Sequence, residues 1–214
     1  MFMCFSASQI LFSQEWNPTI GAVEAIGELH NGDLLIQLKS ERNRLNALEL
    51  ELQKGNEKYK EKVQKLMNSI SSDRDSFNYN FIQSMKKYYN FSKVYFFYDY
   101  DTPELEKSGF IGGRFLNPDL KKGFSRPYSS RSIFILKQAD TKEQSLDAFI
   151  LFNKDNQKLT DPFPSTIRKN NLRTIRNAVF NKSMKNQLDA EYFAKKLQSS
   201  YSKFYFKKYK ESLM

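Results

Sequence analysis

Residues 146–153 read LDAFILFN, with five apolar side chains in succession from Ala148 to Phe152. Side chains alternate across a strand, so an unbroken apolar run has two faces to hide from water. Such a strand belongs inside a sheet that is covered on both sides. Two further runs, KVYFFYDYD at 93–101 and SIFILKQ at 132–138, are rich in β-branched and aromatic residues and read as strands too. The chain is 40% hydrophobic and 15% aromatic, which is enough to fill the core such a sheet needs. Only eight Gly and six Pro argue against a loop-dominated or disordered chain.

The 146–153 strand leads directly into turn chemistry. Asn153-Lys154-Asp155-Asn156 tolerates left-handed backbone and bonds to its own chain. Gln157–Thr160 can return as a short strand, and Asp161-Pro162 and Pro164 end it. Phe163, held between the two prolines, is expected to plug the core. Asp155 and Asp161 are thereby accounted for without catalysis.

Ahead of the strands the pattern is helical. Leu38, Leu45, Leu52, Tyr59 and Leu66 fall seven apart, while the companion series Leu34, Glu41, Leu48, Gly55 and Lys62 is apolar only twice. The spacing predicts a long surface helix or partial coiled coil from Asp33 to about Met67. The phase of Leu52, Tyr59 and Leu66 survives Gly55-Asn56, so one continuous helix is favoured over a hairpin. A second helix is expected over Arg74–Tyr89, with Ser72 or Asp73 as its cap.

Between the first two strands lie Gly109, Gly112 and Gly113. GFIGGRF superficially suggests a phosphate loop, but Asn117-Pro118 stands where a helix should begin. A short helical turn over Thr102–Lys107, a short strand near Phe110–Phe115 and a glycine bulge are expected instead.

The single Cys4 and single His30 leave no internal disulfide and no Cys/His zinc cluster. His30 is read as a polar residue near a helix start. Asp99 and Asp101 are the best metal candidates. Two carboxylates two residues apart on an extended chain face one side and suit a divalent cation. The competing structural role is a helix cap, with Asp101 or Thr102 capping and Pro103 in the first turn. No other cofactor is indicated.

The net charge of +10 is concentrated near the end, where residues 165–214 carry twelve Lys/Arg against three acids. Arg168, Lys169, Arg173 and Arg176 form one basic cluster. Leu188, Tyr192, Leu197, Tyr201 and Phe204 form the apolar stripe of a final helix, with Lys195, Lys196, Lys203, Lys207 and Lys208 dressing the rest. If the two basic groups share a face, an anionic surface or a nucleic-acid backbone is the natural partner, although no nucleic-acid motif accompanies them.

No apolar run reaches the length of a membrane span. ILFSQEW is readable as the tail of a secretory signal, with Ser13 the small residue and Gln14 the new terminus. Cys4 would then be lost on cleavage. NFSKVYFFYDYD, FLNPDL and LDAFILFNKDNQKLTDPFP, spanning about residues 90–170, resemble a family of uncharacterised exported bacterial proteins. That resemblance implies an exported α/β body and carries no catalytic residues.

The expectation is therefore an α+β or α/β chain in three stretches: 1–16, a remnant of a signal peptide; 17–90, a helical, partly heptad segment; and 91–214, an α/β domain with a small mixed sheet and a basic C-terminal helix. The leading functional expectation is an exported, non-enzymatic protein, periplasmic or in the cell envelope, that binds a protein partner or an anionic surface. The alternatives are a metal-dependent hydrolase or transferase using Asp99 and Asp101, and a nucleic-acid binder using the basic final quarter.

Overall fold

A computed structural model describes residues 18–128, 130–140 and 147–209. The chain runs α1 (Pro18–Asn31), β1 (Asp33–Leu38), α2 (Arg42–Leu52), α3 (Glu57–Tyr88), β2 (Lys93–Tyr98), α4 (Thr102–Lys107), β3 (Gly112–Leu116), β4 (Lys122–Arg126), β5 (Ile133–Asp140), β6 (Asp147–Asn153), β7 (Thr166–Arg168), α5 (Asn171–Phe180) and α6 (Lys185–Phe204). The expected signal remnant at 1–16, with Cys4, Ser13 and Gln14, lies outside the described residues.

A five-stranded mixed sheet in the order β2-β1-β5-β6-β7 organises this α+β fold. β1 pairs in parallel with β2 and with β5, and β6 and β7 continue antiparallel. Both faces are covered, as the apolar runs require. On one face Leu34, Ile36, Phe96, Phe134, Leu136, Phe149 and Leu151 pack under α1, α3 and α6. On the other face Leu35, Tyr95, Phe97 and Ile135 meet Leu105 of α4, Phe110, and Phe115 of β3. Consecutive residues of one strand thus enter different cores, which is why the strands alternate so little in polarity. The β3–β4 hairpin carries register shifts between Gly112 and Leu116, in keeping with a bulge at the glycine pair.

The region after 146 folds as its composition demands. β6 ends at Asn153, whose side chain accepts from the Asp155 and Gln157 N–H groups. The chain returns through a single bridge from Phe152 to Lys158. Phe163 then enters the core beside Tyr201 and Phe204, with ring centroids 6.0 and 5.8 Å away.

The helical front half needs four corrections. Residues 33–38 are a central strand and not the start of a helix. Leu34 and Leu38 satisfy both a helical period and a strand, but Leu34, Leu35 and Ile36 are all fully buried, and only a two-sided strand achieves that. Gly32 precedes it because a Cβ there would press on the carbonyl oxygens of Ser132 and Glu28. The expected continuous helix breaks at Gln53–Asn56. The Asn56 side chain caps α3 by accepting from the Tyr59 N–H at 3.0 Å, and Gly55 leaves room for the Tyr59 ring. A cap of this kind contributes about 1 kcal/mol, comparable to the cost of running a helix through the glycine. Ser72 and Asp73 cap nothing. α3 runs on for 32 residues because Val63, Ile70, Phe81, Ile82 and Met85 keep its inward stripe continuous. His30 sits in the last turn of α1, where its ring stacks on Tyr205 at 4.4 Å.

Tyr201 is buried and, among the described residues, its hydroxyl has no hydrogen-bond partner. An unmet buried hydroxyl costs about 1–3 kcal/mol. Tyr201→Phe is expected to raise stability by about 1 kcal/mol, read as a higher urea midpoint at unchanged slope. Burial also raises the Tyr201 pKa well above its ordinary value. A group whose pKa is raised on folding stabilises fully below its unfolded pKa, about 10 for Tyr, and that contribution is lost as the pH climbs above it. The phenylalanine variant is therefore expected to lose less stability above about pH 10 than the parent.

Candidate functional site

β1 leaves the sheet toward α2 and α3 on one face, whereas the adjacent β2 leaves toward α4 on the other. The carboxyl ends of two neighbouring strands with opposed exits form a crevice, the usual ligand position of open α/β sheets. Two adjoining clefts of about 440 and 430 Å³ occupy it, and both are lined by Ser40, Arg42 and Tyr100. Glu41, between β1 and α2, holds a left-handed backbone at φ 56°, uncommon for a residue with a side chain.

Asp99 lines one of these clefts, whereas Asp101, two residues on, is buried and lines neither. The extended chain on which their expected shared face rested ends at Tyr98, and Asp99–Asp101 is a 3-10 turn. One Asp99 oxygen accepts from the Ser40 N–H at 3.2 Å and the Tyr100 N–H at 2.9 Å, clamping the β1 and β2 exits together. Asp101 is buried and paired with Lys122 at 2.6 Å and Arg114 at 3.3 Å. Its carboxylate anchors the β3–β4 hairpin to the strand end. It also does not cap α4: the Asp101 side chain makes no capping bond, and the Thr102 hydroxyl donates to the Asp99 carbonyl at 2.7 Å. Among the described residues no group of three or more His, Cys, Asp or Glu is placed to hold a metal ion.

Lys39, Arg42 and Arg44 line one cleft, and Arg42 and Arg74 the other. Arg42 lies 5.3 Å from the Tyr100 ring centre, and Lys122, outside the lining, lies 4.2 Å from the same ring. Burial alone would lower the Lys122 pKa, but hydrogen bonds with Asp101 and Tyr100 outweigh it and leave the ammonium raised. Arg74 is raised chiefly by its hydrogen bond to Asp75, and it also donates to the Ser40 carbonyl at 2.9 Å.

The basic residues of the final quarter fall into two groups instead of one face. α5 lies against the first turns of α6, where Asn177 donates to the buried Asp189 at 3.2 Å and Arg173 stands 5.1 Å from the Tyr192 ring centre. Arg168, Lys169 and Arg176 belong to this end. Lys203, Lys207 and Lys208 lie at the other end, with Lys207 roughly 22 Å further along the helix axis than Tyr192. Lys195 is occupied by Glu191 at 3.2 Å and the Tyr88 ring, whereas Lys196 is exposed.

The feature missed in the sequence is the apolar side of α5. Ile175, Val179 and Phe180 are 61%, 66% and 78% exposed, and Met184 just beyond is 47% exposed. They lie within residues 162–188, which contain six Lys/Arg and no Asp or Glu. Ile175 and Val179 at i, i+4 beside Arg176 were a readable signal of an amphipathic basic helix.

Comparisons with protein-family models, with curated proteins and with solved structures gave no match.

Proposed function

We propose that this is an exported, non-catalytic binding protein that docks on an anionic lipid surface through α5. The observation that carries this reading is the set of four large apolar side chains standing in water within an acid-free, basic stretch. A basic helix with an exposed apolar side buries that side at the headgroup boundary while its cations meet anionic lipid. Neither contribution alone explains the pattern. A nucleic-acid backbone would draw on Arg168, Arg176 and Lys182 but would leave Val179 and Phe180 in water. Among the described residues no helix is long and apolar enough to cross a membrane, so attachment would be peripheral.

The test is co-sedimentation with phosphatidylcholine vesicles, with and without phosphatidylglycerol. Binding is expected only with the anionic lipid, weakening as salt rises. Phe180→Ser is expected to reduce it by roughly tenfold without altering stability, since the ring lies outside the core. Arg168→Glu with Arg176→Glu is expected to reduce it by more than tenfold, at about 1 kcal/mol per basic residue near the surface. Equal binding to neutral vesicles overturns the proposal. So does retention on duplex oligonucleotides that Phe180→Ser leaves unchanged. Export is supported by the cleavage-like residues around Ser13; recovery of an intact Met1 form in the cytosol would sink that part.

A further inference from the structure

β2 closes one end of the sheet. It pairs with β1 alone over six residues in unbroken parallel register, and among the described residues no backbone hydrogen bond reaches its outer edge. Free edges are normally blunted by proline, a bulge, inward charge or a covering element. In KVYFFY there is no proline and no bulge, and Lys93 is the only charge. Leu116 and the loop after β3 partly cover the strand, with the Gln83 amide donating to the Pro118 carbonyl at 3.2 Å, so the stretch that lines the open cleft is Val94–Phe96.

This edge lies within a groove. An apolar cleft of about 300 Å³ runs along β2, touching Val94, Tyr95 and Phe96. One wall is α3, with Ile82, Met85 and Tyr89; the other is the hairpin region, with Leu116 and the half-exposed Phe124. Both walls are apolar, so successive side chains of an added strand, pointing alternately to either side, would each meet a hydrophobic surface. Lys86 lines the groove and Lys93 begins the strand; both are exposed, and neither has a carboxylate partner among the described residues.

We propose that the β2 edge accepts an extended segment of a partner protein, which pairs as a sixth strand. Backbone hydrogen bonds would supply affinity and the two apolar walls would supply selectivity. The two lysines fit a segment with apolar residues at the pairing positions and acidic residues at its ends. This site is at the opposite end of the sheet from β7 and α5 in strand order, and it is independent of lipid binding.

The test uses the full chain without vesicles, with anisotropy of a fluorescent peptide of alternating valine and threonine carrying a glutamate at each end. Saturable binding is expected. Methylating alternate backbone nitrogens of the peptide is expected to weaken it by at least about tenfold, because strand donors are lost while side chains remain. Lys86→Glu, an exposed change, is expected to weaken the glutamate-ended peptide and strengthen a lysine-ended one. Equal binding of the methylated peptide overturns the proposal, because affinity would then be side-chain adhesion only. Absence of binding at millimolar peptide overturns it as well, as does an edge-to-edge dimer by light scattering that excludes the peptide.

Discussion

Arg126→Met is expected to lower stability by about 3–5 kcal/mol, although methionine suits an interior better than arginine does. Arg126 is fully buried, and its Nε and Nη2 donate to one oxygen of the buried Asp33 at 3.0 and 2.6 Å. Nη1 donates to the Phe110 carbonyl at 2.9 Å, and the guanidinium lies 5.7 Å from the Tyr95 ring centre. One side chain thus ties the end of β4 to the start of β1 and to the loop after α4. With Arg126 gone, Asp33 keeps a buried negative charge. Among the described residues its second oxygen has no hydrogen-bond partner, and Arg131 stands 4.0 Å from it. The cost is therefore that of stranding a charge, which exceeds the net value of the pair. Asp33→Asn in the same chain is expected to recover part of the loss, and a double-mutant cycle from urea midpoints measures the coupling. A loss below about 1 kcal/mol, the value of an exposed ion pair such as Lys65–Glu61, contradicts this account.

That pair also marks a limit of sequence reading. Asp33 and Arg126 are 93 residues apart, and nothing local to either announces the other. Short-range signals fared better. β6 was legible because five successive apolar residues exclude a surface helix of that length, and the Asn153 turn because its chemistry is contained within five residues. β1 was hidden because Leu34 and Leu38 also extend a heptad series, and periodicity alone does not separate a short buried strand from a helix. Its neighbours β2 and β5 decide the matter. Asp99 and Asp101 follow the end of β2 and do not lie on an extended chain. A spacing of two places side chains on one face only while the chain stays extended, and here it winds into a 3-10 turn ahead of Pro103. The amphipathic pattern of α5 is present in the sequence. Whether its apolar side is covered depends on what packs there, and that is a tertiary fact.

Phe163→Ala is expected to cost about 3–5 kcal/mol, the range for deleting a buried aromatic ring. The ring is 2% exposed and closes the core between Tyr201 and Phe204 of α6. Its backbone is fixed on both sides: its N–H donates to the Thr160 carbonyl at 3.1 Å, and its carbonyl accepts from the Ser165 N–H at 2.7 Å. The Ser165 carbonyl in turn accepts from Leu151 of β6 at 2.8 Å. A position held this firmly cannot slide to refill the vacated space, so the upper part of the range is expected. Phe163→Leu retains most of the volume and is expected to lose about half as much. Asp155→Asn and Asp161→Asn, in the same stretch, alter exposed residues and are expected to shift stability by no more than about 0.5 kcal/mol. This contrast separates a scaffold from a site. If the aspartate variants abolished a measurable activity while Phe163→Ala left the urea midpoint unchanged, residues 153–164 would be functional chemistry. If the order is as expected, their role is to turn the chain and seal the sheet beneath α6.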